Sequence, residues 1–273
     1  MSHIQTTDNV RLRYKDWGRG RAVVMMHGWP LSSDTFDDLG MAIANAGMRA
    51  IAYDRRGFGR SQQPWDGYDY DSLADDLAAV IDQTKAQDVT LVGFSMGGGE
   101  VARYLTRHGA SKIKQAVLIS SIVPFMLKTP DNPQGLEQSV FDGMAKKMEA
   151  DRAAFWTPFF KDFYGAGTPA SAVSQEVLDW SCDVSMQAGL RATLECAKSF
   201  SSTDLRPDLK SFTVPTLIIH GTADKTVPID ASARAAAKAI KGSTLIEYDG
   251  APHGLLASHK ARVIGDVMKF LKS

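Results

Sequence analysis

Short, continuous runs of β-branched and aliphatic residues alternate with longer segments of helical spacing, and few architectures accommodate that alternation. Residues 22–26, Ala-Val-Val-Met-Met, are apolar throughout and stop at His27-Gly28. A strand that is apolar at every position is buried on both faces. Residues 49–53, 90–92, 115–119, 216–219 and 244–248 read the same way, whereas residues 11–15 alternate as a half-buried strand does. Between them, residues 34–46, 71–84, 96–108, 231–240 and 258–271 read as helices. Leu73, Leu77, Val80 and Ile81 form one apolar stripe, and Gly109 follows His108 as a helix C-terminus requires. The expected class is α/β, a mostly parallel, doubly wound sheet covered by helices on both faces.

The alternation stops between about Ser120 and Arg206. Pro124, Pro130, Pro133, Pro158 and Pro169 punctuate Met- and Phe-rich helical patterns there, without a β-branched run. This stretch reads as a helical insertion between two strands of one sheet. Length alone, 273 residues, leaves one or two domains open.

Charge and cysteine usage exclude several functions. Lys and Arg number 31, Asp and Glu 31, so the net charge is zero, and the positive excess a nucleic-acid binder uses against phosphate is missing. Cys182 and Cys196 cannot build a disulfide framework and have no zinc-ligand spacing around them; both read as small apolar residues on helices. No apolar run approaches the roughly 18 residues of a membrane span, and the first residues lack a basic region followed by an apolar one. The expected setting is soluble and cytoplasmic, with no membrane and no nucleic-acid partner.

Gly93-Phe94-Ser95-Met96-Gly97 has the form G-x-S-x-G. Three fixed positions recur by chance in about one chain in ten of this length, so context decides. Here the motif follows a buried strand and opens a helix, as a nucleophile elbow does. Such a turn strains the serine backbone, glycines on either side avoid clashes, and the hydroxyl lies beside a helix N-terminus that favours developing negative charge. The bland reading is a glycine-rich turn.

A serine hydroxyl needs a base to take its proton and a third group to orient that base. Where the serine comes first in the chain, the acid and then the histidine follow. Asp224, in His220-Gly221-Thr222-Ala223-Asp224, and His253, in Ala251-Pro252-His253-Gly254, fit that order, each beyond a strand. Open α/β sheets place their sites at these carboxyl ends. The other histidines read as structural or solvated: His3 in a tail, His108 at a helix end, His220 at a strand end, His259 at a helix start. His27 reads as a brace for its loop. An oxyanion needs two backbone donors, and the N–H groups of Met96 and Trp29 are the candidates, because Pro30 has none to give.

These residues resemble a known family, the small bacterial α/β-hydrolases that include aryl esterases and the cofactor-free haloperoxidases, or perhydrolases. The resemblance rests on His27-Gly28-Trp29-Pro30-Leu31, Asp54-Arg55-Arg56-Gly57-Phe58-Gly59-Arg60-Ser61, Gly93-Phe94-Ser95-Met96-Gly97-Gly98-Gly99, His220-Gly221-Thr222-Ala223-Asp224 and Ala251-Pro252-His253-Gly254, which together span nearly the whole chain. It implies a triad of Ser95, Asp224 and His253 and an oxyanion hole of Trp29 and Met96. It implies a hydrolase core of residues 1–120 and 206–273 with a helical cap of residues 121–205. Phe125, Phe159, Phe163 and Phe200 would line an acyl pocket with Trp29 and Val227. The implied activity is a serine carboxylesterase on small esters; with hydrogen peroxide in place of water, the acyl-serine yields a peracid that oxidises halide in solution. That chemistry calls for no cofactor and no metal. Relatives of this kind often form homo-oligomers.

Pro30 after the aromatic Trp29 resembles the perhydrolase branch. Proline fixes its own φ and biases the preceding residue towards extended geometry, which would aim the Trp29 carbonyl at a bound peroxide. Dehalogenases and epoxide hydrolases on this fold need a carboxylate where Ser95 stands. A lactonase or carbon–carbon hydrolase uses the same triad under a different cap, and a ligand-binding receptor is the reading from another class.

Overall fold

The computed structural model describes residues 2–168 and 173–272; of the five prolines named above, Pro169 lies outside them. Eight strands form one sheet: β1 (His3–Gln5), β2 (Arg11–Gly18), β3 (Ala22–Met26), β4 (Arg49–Tyr53), β5 (Val89–Phe94), β6 (Ile113–Ile119), β7 (Thr216–Gly221) and β8 (Thr244–Tyr248). Their spatial order is β1-β2-β4-β3-β5-β6-β7-β8. β1 and β2 pair antiparallel, as do β2 and β4; every later pairing is parallel. The expected α/β class and mostly parallel sheet are therefore present.

β3, β5 and β7 are buried at every position, because helices cover both faces of the central sheet. Helices α1 (Asp37–Asn45) and α9 (Lys260–Leu271) pack together on one face; α2 (Tyr70–Gln83) and α3 (Gly97–Arg107) pack together on the other. α7 (Ala233–Ala239) sits against β7 and β8. One continuous apolar cluster runs through all of these layers.

Several boundaries depart from the sequence reading. His3 is not in a tail; β1 pairs it with Arg13. The expected helix at 34–46 begins as a 3-10 turn, Ser33–Phe36, capped by Ser32, whose hydroxyl accepts from Asp34 N–H. The expected helix at 231–240 is shorter. The last one begins at Lys260, and a separate short helix, α8 (Leu255–Ser258), precedes it. β8, expected to be fully buried, is only half-buried because it forms the sheet edge.

Between β6 and β7 lie α4 (Gln138–Tyr164), α5 (Gln175–Gln187) and α6 (Leu190–Ser202). Asp151 breaks α4 with non-helical angles, and its carboxylate accepts from Ala154 N–H, recapping the second half. Backbone bonds stitch these helices to the sheet layers: Gly189 N–H donates to Gly57 carbonyl at 2.9 Å, and Gly254 N–H to Phe163 carbonyl at 2.8 Å. The free thiols Cys182 and Cys196 lie on α5 and α6, as expected.

The chain runs from β3 outward to β4 on one side, then returns to β5 on the other. That reversal is a topological switch point, the place where loops at the carboxyl ends of neighbouring strands diverge and leave a crevice. The loop after β3 begins at His27, and the turn after β5 carries Ser95.

Candidate active site

Ser95 has φ of +53°, in the left-handed region that a β-carbon disfavours. The turn holds it there: Ser95 N–H donates to Ile119 carbonyl on β6 at 2.9 Å, and its own carbonyl accepts from Gly98 N–H at 3.0 Å. The flanking glycines are required by close backbone approach. A β-carbon at Gly93 would fall 2.6 Å from Gly97 carbonyl oxygen, and one at Gly97 would overlap Met26 carbonyl on β3.

The strained turn directs Ser95 Oγ to 2.9 Å from His253 Nε2, and His253 Nδ1 lies 2.6 Å from Asp224 Oδ2. These residues come from the ends of β5, β7 and β8, which are 158 and 29 positions apart along the chain for the two contacts. His253 is fully buried; its ring meets Phe163 edge-on at 4.6 Å and lies tilted against Phe94 at 5.5 Å. Ser120 hydroxyl donates to His253 carbonyl at 2.9 Å, fixing the loop that carries the imidazole. With Asp224 as acceptor, Nδ1 carries the proton and Nε2 faces the serine as acceptor.

Asp224 is held from three sides. Its Oδ1 accepts from the N–H groups of Thr226 and Val227 at 2.9 and 2.8 Å. Its Oδ2 lies 3.1 Å from His220 Nε2 as well as 2.6 Å from His253. Burial alone would raise this carboxyl; the His253 and His220 imidazoles outweigh it and hold the group well below the usual carboxylate range. His220 also donates from Nε2 to Val227 carbonyl at 2.9 Å. Of the structural and solvated readings of His220, the structural one holds: it is fully buried and touches the acid. Its four-residue offset from Asp224 across a strand end was the available signal.

The loop after β3 lies against the elbow. A β-carbon at Gly28 would fall 3.1 Å from Ser95 Cβ. Trp29 anchors the loop: its indole N–H donates to Thr193 carbonyl on α6 at 3.0 Å, and its ring packs edge-on against Trp156, Phe159 and Phe200. Tyr70 hydroxyl donates to Met96 carbonyl at 3.1 Å, fixing the start of α3.

His27 braces this loop. It donates from Nδ1 to Gly28 carbonyl at 2.9 Å and accepts at Nε2 from Arg55 N–H at 3.0 Å. Burial, and then the neighbouring Arg55 guanidinium, push it from 6.5 down to about 3. The unfolded chain therefore binds the proton first between pH about 6.5 and about 3. Stability from this group is complete above pH 6.5 and is lost as pH falls through that window. In His27→Gln, the urea midpoint is expected to fall less between pH 7 and pH 4 than in the parent chain. Equal slopes would count against this role.

A cavity of about 200 Å³ opens onto Ser95. Trp29, Phe159, Phe200 and Val227 line it, as expected. Phe125 and Phe163 do not. Phe125 is buried beneath the Arg206 guanidinium, 5.0 Å from its ring, and Phe163 is turned towards His253 and a separate hollow between α4 and α5. Ile122, Met126, Leu136, Val140, Phe141 and Met144 complete the apolar wall. None of these six was expected. Val140, Phe141 and Met144 follow one another at helical spacing on α4, which was the available signal.

Fold and geometry together describe a hydrolase built on an open α/β sheet. The family described as alpha/beta hydrolase fold matches residues 21–260, and the chain belongs to it. It is 43% identical to the non-heme chloroperoxidase CPO-A1 of Kitasatospora aureofaciens, over 97% of this chain and 94% of that one. It is 40% identical to the bifunctional esterase/perhydrolase DCH of Acinetobacter calcoaceticus, over the full length of both. The crystal structure of a bromoperoxidase from Bacillus anthracis superposes with a TM-score of 0.95 at 40% identity, covering all of both chains.

Proposed function

We propose that the chain is a serine carboxylesterase for small esters which also forms peracids when hydrogen peroxide replaces water. The observation that carries this is the hydrogen-bonded series Ser95–His253–Asp224 opening onto an apolar cavity. His253 takes the Ser95 proton as Oγ attacks the ester carbonyl, and the N–H groups of Trp29 and Met96 receive the oxyanion. Collapse expels the alcohol, which takes the proton back from His253, and leaves an acyl-Ser95. Water, deprotonated by the same imidazole, releases the carboxylic acid. Hydrogen peroxide attacking the same carbonyl releases the peracid, which oxidises bromide or chloride away from the site. The names of the chloroperoxidase and esterase/perhydrolase relatives support both branches.

Residues 121–205 act in this reading as a cap over the site, since α4 and α6 supply Phe159, Phe200, Val140, Phe141 and Met144 to the cavity. No helix among the described residues is long and apolar enough to cross a membrane. A cytoplasmic setting, an uncharged ester or carboxylic acid partner and self-association into a homo-oligomer belong to the same proposal.

The test is a p-nitrophenyl ester series, acetate to octanoate, with and without peroxide, alongside bromide-dependent halogenation of phenol red. Ester cleavage and peroxide-dependent halogenation are both expected. Pro30→Leu is expected to lower the ratio of halogenation to hydrolysis, because it frees the backbone around Trp29. Absence of cleavage across the whole series would overturn the esterase reading.

A further inference from the structure

The wall of the cavity contains two thioethers. Met126 follows β6 and is 2% exposed; Met144 lies on α4 and is half-buried. Both border the same space as Ser95 Oγ. Thioether sulfur is soft, polarisable and readily oxidised to the sulfoxide by an electrophilic oxygen. A peracid released from acyl-Ser95 is such an oxidant, and it is formed inside the cavity these two side chains line.

We propose that Met126 and Met144 are sites of oxidation by the enzyme's own peracid product, so that perhydrolysis modifies the acyl pocket as it runs. The inference rests on the perhydrolase reading above. In the step, the terminal peroxy oxygen passes to sulfur as the O–O bond breaks. The thioether loses two electrons and becomes a sulfoxide. The peracid gains them and becomes the carboxylic acid, the peroxy proton moving to its carboxyl oxygen. Hydrogen peroxide is the only co-reactant.

Location singles these two out from the other methionines. Met41 and Met186 are 57% and 42% exposed and lie outside the cavity, so oxidant in bulk solvent reaches them first. Met148 is 1% exposed and does not border the cavity. Peracid generated at Ser95 inverts the order that exposure alone dictates. The sulfoxide places a polar oxygen in a wall that is mostly apolar, which penalises a long acyl chain lying against it more than an acetyl group.

The full-length enzyme is incubated with acetate and hydrogen peroxide, with excess free methionine in solution to consume escaped peracid. Sulfoxide at each methionine is then quantified by peptide mass spectrometry, with Ser95→Ala in the same peroxide as the comparison. Bromide-dependent halogenation in a parallel sample without free methionine reports peracid formation. Sulfoxide at Met126 and Met144 is expected to exceed that in Ser95→Ala by about fivefold or more, while Met41 and Met186 match between the two proteins. KM for the octanoate ester is expected to rise by about tenfold in the oxidised enzyme, and that for acetate much less. In Met126→Leu/Met144→Leu, a volume-conserving pair, turnover-dependent loss of activity is expected to slow relative to the variant's own starting rate. Halogenation with sulfoxide confined to Met41 and Met186, or equal in both proteins, overturns the inference and leaves perhydrolysis standing. Absence of halogenation overturns the perhydrolase reading, and this inference with it.

Discussion

Ser95→Ala is expected to lower kcat for p-nitrophenyl acetate by a factor of about 10⁴ to 10⁶ while leaving the fold intact. The hydroxyl borders the cavity and lies 2.9 Å from an imidazole whose other nitrogen is held at 2.6 Å by a buried carboxylate. Removing one oxygen leaves His253, Asp224 and the two proposed backbone donors in place. What survives is the rate that a positioned water and an oxyanion hole supply on their own. The backbone cost is small, because alanine meets the same penalty at φ +53° that serine already carries. His253→Ala is expected to match Ser95→Ala in effect, and the double variant to be little worse, because the groups act as a unit. Asp224→Asn is expected to lose about 10⁴, since an amide N–H facing Nδ1 favours the tautomer that turns a proton, not a lone pair, towards the serine. Steady-state kinetics with matched circular dichroism checks all four. Less than a tenfold loss in Ser95→Ala would show that ester cleavage runs elsewhere.

The residues brought together at Ser95 were legible because each meets a constraint that only a few residue types satisfy. Gly93 and Gly97 leave no room for a β-carbon, Ser95 is held at positive φ, and Asp224 and His253 each follow a strand in the required order. The sheet was legible for a similar reason, since an apolar run such as residues 22–26 has no other stable place. Shorter elements were not. β1 has three residues, too few to display a period of two, and its identity comes from pairing with β2. α8 has four residues, about one turn, too few to display a helical period.

The cavity wall was only half legible, and the cause lies in the side chains. A phenylalanine such as Phe125 satisfies the same burial whether it faces a ligand space or lies beneath Arg206, and periodicity does not distinguish the two. Met126 and Val140 look like ordinary core residues for the same reason. The contact of His220 with the acid was not legible because it depends on the chain folding back over four residues, so that one carboxylate meets two imidazoles.

Arg55→Met is expected to destabilise the chain by about 3–5 kcal/mol, a large part of the roughly 5–15 kcal/mol that holds a domain together. Arg55 and Glu100 are both fully buried, and Arg55 Nε donates to Glu100 Oε1 at 2.7 Å. Tyr53 hydroxyl donates to the other carboxylate oxygen at 2.5 Å. The same guanidinium donates to His27 carbonyl at 2.5 Å, so one ion pair joins the loop after β3 to the helix after Ser95. Without Arg55, Glu100 keeps a charge that burial already opposes; burial raises its pKa even with Arg55 present. In the variant that pKa rises further above its unfolded value. Stability is then fully present below about pH 4.5 and is lost as pH rises through the folded value, so the deficit relative to the parent is expected to be larger at pH 8 than at pH 5. Arg55→Met/Glu100→Gln removes both charges and keeps an acceptor for Tyr53, and should recover most of the urea stability. It should not recover kcat/KM, because the His27 carbonyl has still lost its tether and the Trp29 N–H its fixed position. A double variant restored in both stability and activity would show that the pair serves the fold alone, with no hold on the loop beside Ser95.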